Sequence, residues 1–387
     1  MLDELPSGWK KDKFINFVTL KRGYDLPVSK RVEGAVPVVA SNGPVGWHNE
    51  AIVRGPVVVT GRSGTIGKVQ FYEHDCHPLN TTLYTQDLHG NNPQFVAEFL
   101  RHFRLERFAT GTGVPTLNRN LVHEVVVAFP PLPEQQCIAE VLASVDDSIR
   151  ATEAVIEQAE RVKGGLIKDL LTGGLGSECV GGGELPEGWR LGKLGDLAKI
   201  KNGFAFKSKD FTDETSKSAL VVRMSNFNNG PVVFEGCKRI PLEVVESLER
   251  FELGDGDILI AMSGATVGKL GIVESPNERV FLNQRVGCVV PNKEACREFL
   301  WHFMRTENFA ARVFQSATGN AQPNISGKQI ESIQIVVPPS DEQAKIAGIL
   351  SSLDDQVAAN RATVVQLETV KRGLMDDLLT GRVRTVK

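Results

Sequence analysis

Residues 130–149 read PPLPEQQCIAEVLASVDDSI, and residues 338–357 read PPSDEQAKIAGILSSLDDQV. A segment written twice in one chain decides the architecture before any single residue does, because each copy must fold as the same unit. Ile138, Leu142, Val145, Ile149, Thr152, Ile156, Ala159, Lys163, Leu166 and Leu170 alternate steps of four and three, and eight of these ten are apolar. That is a heptad seam. The copy repeats it as Ile346, Leu350, Leu353, Val357, Asn360, Val364, Leu367, Lys371, Leu374 and Leu378. Pro133 or Ser340 with a following Glu supplies a helix start, and Gly173 or Gly381 a stop. Each helix should hold about 38 residues and run ~57 Å. Thr152 and Asn360, polar at matched seam positions, are candidates for fixing the register. A core helix of a larger bundle is the plainer reading, but length, strict heptad and just two copies favour a pair of exposed spacer helices.

Working outward, the repeat spans the chain. LPSGWK at Leu5 to Lys10 returns as LPEGWR at Leu185 to Arg190, SGTIGK at Ser63 to Lys68 as SGATVGK at Ser263 to Lys269, and EFLRHF at Glu98 as EFLWHF at Glu298. Leu79-Asn80 matches Leu282-Asn283, and Thr110-Gly111 matches Thr318-Gly319. The offset drifts from 180 at the LP-x-GW segment to 208 at the Thr-Gly pair, then holds through Leu170-Leu-Thr-Gly173 and Leu378-Leu-Thr-Gly381. Drift belongs to loops, and a gap-free register to a rigid element whose length matters.

The front parts read as mixed α/β. Val57 to Thr60 with Val69 to Tyr72, and Ile258 to Met262 with Lys269 to Val273, predict hairpins around a glycine turn at positive φ. A helix is predicted at Pro93 to Phe108 and at Lys293 to Phe314. A last strand, Val125 to Phe129 or Ile333 to Val337, then leads into each long helix. The expected fold class is α/β of the mixed α+β kind: two globular domains separated by two long antiparallel coiled-coil-like helices, with a pseudo-two-fold repeat. The predicted segments are 1–131, 132–173, a linker at 174–184, 185–339, 340–381 and a tail at 382–387.

The 387 residues are 41% hydrophobic and 24% charged, as in a globular protein. No run approaches a membrane span, and the start lacks the apolar core of a signal peptide, so a cytoplasmic address is expected. Six scattered cysteines (Cys76, Cys137, Cys179, Cys237, Cys288, Cys296) suggest neither a disulfide framework nor a zinc knuckle. His74, Cys76 and His77 lack a second cluster to complete a metal site. Net charge is −3, with the acidic excess at residues 131–176, so any DNA contact needs local basic clusters or a basic partner.

Catalytic motifs are missing from the sequence. A Walker A loop needs Gly where Arg62 and Ser263 stand, and Ser or Thr where Val69 and Leu270 stand. The Pro-Pro pairs are not the [DNS]-P-P-[YFW] loop of a methyltransferase, and no Lys follows an Asp or Glu two positions earlier as a carboxylate-metal nuclease requires. The glycine turn is read both as a plain hairpin and as a loop presenting Arg62, Ser63, Thr65 and Lys68 to DNA, and the two are compatible. Further candidates for base-edge contact are Asn80 and Thr82 in the first front part. In the second they are Arg223, Asn226, Ser263, Lys269, Asn283, Gln284 and Arg285. Arg62 and Arg285 stand out because each interrupts an apolar or small-residue run.

LPEGW near a domain start, the glycine-lysine hairpin and the doubled P-P-x-x-E-Q-x-x-I-A helix start, each closing on L-L-T-G, resemble the specificity subunits of type I restriction-modification systems over essentially the whole chain. The resemblance implies two target-recognition domains, each reading one half of a bipartite asymmetric DNA target. It also implies two spacer helices that dock two methyltransferase subunits, with motor-nuclease subunits in the full complex. No catalytic residue, metal or cofactor is then expected in this chain, while S-adenosylmethionine, ATP and Mg belong to the partners. A methyltransferase or nuclease acting alone, an adaptor of another defence complex, and a silent cassette are the competing readings.

Overall fold

The computed structural model describes residues 5–111, 115–172, 185–317 and 323–385, with 169–172 as helical backbone only. Gly173, the 174–184 linker, the Thr318-Gly319 pair, the end of the tail and the side chain of Leu170 lie outside the described residues. The chain forms two compact units. Unit 1 comprises residues 1–155 and 360–387, and unit 2 residues 156–359.

In unit 1, β1 (Lys10–Lys13), β2 (Thr19–Arg22), β3 (Val36–Ala40), β4 (Gly43–His48), β5 (Val57–Gly61), β6 (Val69–Tyr72), β7 (His77–Pro78) and β8 (Thr82–Asp87) lead to α1 (Pro93–His102). Then come β9 (Ala109–Thr110), β10 (Thr116–Leu117), α2 (Arg119–His123), β11 (Val126–Phe129) and the long α3 (Leu132–Thr172), of which residues up to 155 belong to this unit. The sheets run β2-β8-β5-β6 and β4-β3-β7, with β1 on β11 and β9 on β10. A core of Phe14, Phe95, Phe99, Leu100 and Phe129 packs against Ile138 and Leu142 of α3 and Leu378 and Leu379 near the carboxyl end. Fully burying such side chains contributes about 1.5–3 kcal/mol each.

Unit 2 repeats the plan with β12 (Arg190–Lys193), β13 (Ala198–Asn202), β14 (Ser218–Val222), β15 (Gly230–Pro231), β16 (Lys238–Pro241), α4 (Leu242–Val245), β17 (Glu252–Leu253), β18 (Ile258–Ala261), β19 (Leu270–Ile272), β20 (Val280–Leu282) and β21 (Val286–Pro291). After them stand α5 (Arg297–Met304), α6 (Glu307–Ser316), α7 (Gly327–Glu331), β22 (Gln334–Val337) and α8 (Ser340–Leu378), of which residues up to 359 belong to this unit. Its sheets are β13-β21-β18-β19-β15 and β16-β14-β20-β17, with β12 on β22.

The helix signature proves to be a latch. Gln135, almost fully buried, accepts from the Asn92 amide at 2.9 Å and donates to the Pro130 carbonyl at 2.9 Å. Gln343 does the same with the Cys296 amide and the Pro338 carbonyl, at 3.0 Å each. The indole of Trp9 donates to Glu134 at 3.1 Å, and that of Trp189 to Glu342 at 2.5 Å. Gly8 and Gly188, at φ +82° and +81°, bring their turns against Pro131 and Pro339 so closely that a Cβ would sit 3.3 and 3.1 Å from the ring Cγ. The LP-x-GW and PP-x-x-EQ motifs are therefore two halves of one joint, made twice. The joint in unit 1 has a further member: Arg384 pairs in bidentate fashion with Glu134 at 2.6 and 2.8 Å, where Glu134 is 1% exposed.

At every described position of the heptad seam, the side chain is buried or half-buried. In unit 1, Lys371 donates to both Asp146 oxygens at 2.7 Å. In unit 2, Lys163 pairs with Asp354. These two ion pairs are repeat images of one another, and in each the helices run antiparallel. Thr152, expected to help fix the register, donates instead to the Ser148 carbonyl of its own helix at 2.8 Å.

Two predicted helices are corrected. The first stops at His102 because Arg104 turns left-handed at φ +53°, and Leu105–Phe108 forms a separate 3-10 turn. The second divides into α5 and α6 because Thr306 accepts from the Phe309 amide and caps a new start. The expected Leu79-Asn80 match to Leu282-Asn283 is also one residue out. Tyr24 bridges Leu79 while Phe204 bridges Asn283, so the backbone ladder pairs Leu79 with Asn283, Asn80 with Gln284 and Thr81 with Arg285.

Buried His302 lies 3.0 Å from the Ser351 hydroxyl, and burial pushes it down from 6.5 to about 4. The unfolded chain then binds more protons than unit 2 between those two values, so stability rises with pH across that window. The melting temperature of unit 2 should therefore fall as the pH drops from 6.5 to about 4. In His302→Gln that slope should flatten. An unchanged slope in calorimetry would reject the assignment.

Candidate nucleic-acid interface

In each unit the hairpin turn and the chain just before the last short helix close on the same place. Arg62 is held from both sides: its amide donates to the Thr81 carbonyl at 2.8 Å, and its carbonyl accepts from Leu117 at 2.7 Å. The next residue, Ser63, bridges Thr116. In unit 2, Met262 donates to the Arg285 carbonyl at 3.0 Å and accepts from Ile325 at 3.0 Å, and Ser263 bridges Asn324. The turns carry glycines at positive φ, Gly64 and Gly67 in the first and Gly264 and Gly268 in the second. Even the supporting bond recurs with a different side chain. His123 accepts from the Leu20 amide at 3.0 Å, and Glu331 accepts from the Ile200 amide at 2.9 Å. Burial lowers the His123 pKa, in keeping with a neutral ring that accepts.

A cleft of 720 Å³ opens beside the first turn, lined by Lys21, Arg22, Tyr24, Asp25, Arg62, Asn118, Arg119 and Asn120 among others. Its four cations have no carboxylate partner among the described residues. Asp25, the one acid in the lining, accepts a hydrogen bond from Asn80. Of the six residues expected in this unit, Arg62 lines the cleft. Ser63 and the exposed Thr65 share its turn, while Lys68 donates to the Asn42 carbonyl at 2.8 Å. Asn80 braces the wall, with its carbonyl 3.3 Å from Arg22 Nε. Thr82 is fully buried and its hydroxyl donates to the Leu79 carbonyl at 2.7 Å, so it shapes the turn.

The seven residues expected in unit 2 gather around the matching turn. Arg285 and Gln284 are exposed, and Lys269 and Arg223 half-buried. Buried Asn226 accepts from the Arg223 amide at 2.9 Å. Ser263 lies 3.4 Å from the Met224 sulfur, and Asn283 accepts from the Arg285 amide at 3.4 Å. Asn226, Ser263 and Asn283 thus hold the loop that presents the others. Sequence reasoning passed over Lys21, Arg22 and Arg119. The signal for the first two was available, since Lys21-Arg22-Gly23-Tyr24 returns as Lys201-Asn202-Gly203-Phe204 at the 180 offset.

Among the described residues, no group of three or more His, Cys, Asp or Glu is placed to hold a metal. No described helix is long and apolar enough to cross a membrane.

Comparison with known proteins places these features in a family setting. A family model described as "Type I restriction modification DNA specificity domain" matches residues 6–161 and again 186–369. The type I restriction enzyme MjaVIII specificity subunit of Methanocaldococcus jannaschii is 29% identical over 296 residues, 74% of this chain and 68% of the relative. The putative MjaX specificity subunit of the same organism is 28% identical over 340 residues, 82% of this chain and 76% of its own. The crystal structure of the type I restriction-modification S subunit from M. genitalium shares the fold, with TM-score 0.63, 16% identity and 98% of each chain covered.

Proposed function

The chain belongs to the type I restriction-modification DNA specificity family, and from that premise we propose that it is the non-catalytic DNA-reading subunit of a cytoplasmic methyltransferase and restriction complex. Each unit reads one half of a bipartite double-stranded target. The observation that carries this is the paired latch: one joint, made twice, mounts two turns of the same build but different side chains on two repeat-related helices. A split target whose halves differ calls for such a chain, and the half-sites of paired readers lie about one helical turn, ~34 Å, apart.

The helices serve as spacers and as docks for two methyltransferase subunits. In unit 2 a groove is lined by Val162, Leu166, Lys345, Gly348, Ile349, Ser352 and Leu353, with Val162 42% and Ile349 47% exposed. Their repeat images in unit 1, Val370 and Val141, are exposed as well. S-adenosylmethionine, ATP and Mg act on the partner subunits, which include motor-nuclease subunits in the full complex.

Replacing residues 5–130 by the matching segment of another family member should change one half of the methylated motif, read by base-resolution mapping of methylated DNA. A change in both halves, or in neither, would overturn the assignment of one half to each unit. Without partner subunits, the purified chain should neither methylate nor cleave DNA.

A further inference from the structure

We infer that the half-site read by unit 1 contains a guanine recognised by Arg62, and that Lys21, Arg22 and Arg119 seat the phosphates beside it. The inference rests on the reading role proposed above and adds the chemistry of one half-site. Four cations converge on one cleft with a single carboxylate, and that carboxylate is engaged by Asn80. Unpaired positive charge in a cleft of 720 Å³ calls for an anionic ligand.

Position divides the labour among the four. The backbone of Arg62 is bonded on both sides, at 2.8 and 2.7 Å, so its half-buried side chain leaves from a fixed point. A fixed planar fork suits the O6 and N7 acceptors of guanine in the major groove, the commonest specific arginine contact. Arg22 and Arg119 are exposed. Arg22 spends its Nε on the Asn80 carbonyl at 3.3 Å and keeps both terminal nitrogens. Lys21, held 5.8 Å from the Tyr24 ring, offers a point charge. Arg119 rests one terminal nitrogen 3.4 Å from the Leu20 carbonyl and keeps its other donors, and cations placed this way suit phosphates, which carry no sequence information.

The second unit supports the division. The positions of Lys21, Arg22, Arg62 and Arg119 are taken there by Lys201, Asn202, Met262 and Gly327. Its guanidinium stands instead at Arg285, across the same turn, on the residue whose carbonyl receives the Met262 amide.

The test uses the complex reconstituted with its methyltransferase subunits, acting on a DNA library randomised over both half-sites. Arg62→Gln and Arg62→Lys should each relax a single G·C position by about 5- to 150-fold, with the other half unchanged. Arg62→Lys should keep the salt dependence of binding, since it keeps the charge, and it serves if Arg62→Gln folds poorly. Arg22→Gln and Arg119→Gln should weaken binding to all sequences alike, and each should lower the slope of log K against log salt by about 1, with the motif intact. The segment exchange of residues 5–130 identifies which half belongs to unit 1. If that half holds no G·C pair, or if neither Arg62 variant relaxes a position, the inference falls while the reading role stands. If the exchange alters neither half, the reading role itself fails.

Discussion

Arg384→Ala should lower the melting temperature of unit 1, because it leaves the buried Glu134 carboxylate without its charged partner. Glu134 is almost wholly buried and is held by three bonds: one from the Trp9 indole at 3.1 Å, two from Arg384 at 2.6 and 2.8 Å. Loss of the guanidinium leaves a carboxylate with one neutral donor in an environment that disfavours its charge. The fall should be several degrees, large enough to separate clearly from the parent curve in a thermal melt. Arg384→Lys should restore part of the loss, because a single ammonium cannot reproduce the bidentate contact. Arg382, exposed and paired with Asp377 at 3.4 Å, is the control: Arg382→Ala should change stability by less than about 0.5 kcal/mol. A melting curve for Arg384→Ala that coincides with the parent would show that the joint does not depend on this pair.

Val162→Glu with Ile349→Glu should remove one methyltransferase subunit from the complex. Both residues stand exposed on the groove of unit 2, so the substitution is tolerated by the free chain. Burial against a partner would desolvate two unpaired carboxylates, and losses of 2–4 kcal/mol are usual at such anchors, or about 30- to 1000-fold in affinity. Mass measurement of the purified assembly should find one methyltransferase copy instead of two. Val141→Glu with Val370→Glu should act likewise in unit 1, and the four changes together should leave none. Retention of two copies at parental affinity by the first variant would place the dock elsewhere.

Much of the fold was legible because the chain states it twice. The heptad seam from Ile138 and from Ile346 reads directly as helix, since period and burial coincide there. What escaped was partly local. Thr306, a preferred cap residue, starts a fresh helix through the Phe309 amide three residues on, whereas nothing in the letters announces that Arg104 turns left-handed. The Leu-Asn repeat misled by identity, because the backbone ladder and not the letters fixes which residues correspond. The site was half legible. Arg62 and Arg285, read as interruptions of apolar runs, stand at the turns; the repeat of Lys21-Arg22 at Lys201-Asn202 went unread, and Arg119 comes from an element that meets the turn only in three dimensions. Thr82 was read as a candidate beside Asn80, but it opens a strand whose first four residues are all buried, and its hydroxyl is spent on the Leu79 carbonyl.

Unit 1 takes its residues from both ends of the chain, whereas unit 2 is one continuous span, 156–359. On the ribosome this reverses the usual order of maturation. The amino-terminal core includes Leu378 and Leu379 alongside Phe95 and Phe129. At 5–20 residues per second those leucines emerge roughly 10–50 s after Val155 has been made. The later-synthesised unit can thus complete itself first, while the nascent amino-terminal sheets wait with an open apolar face.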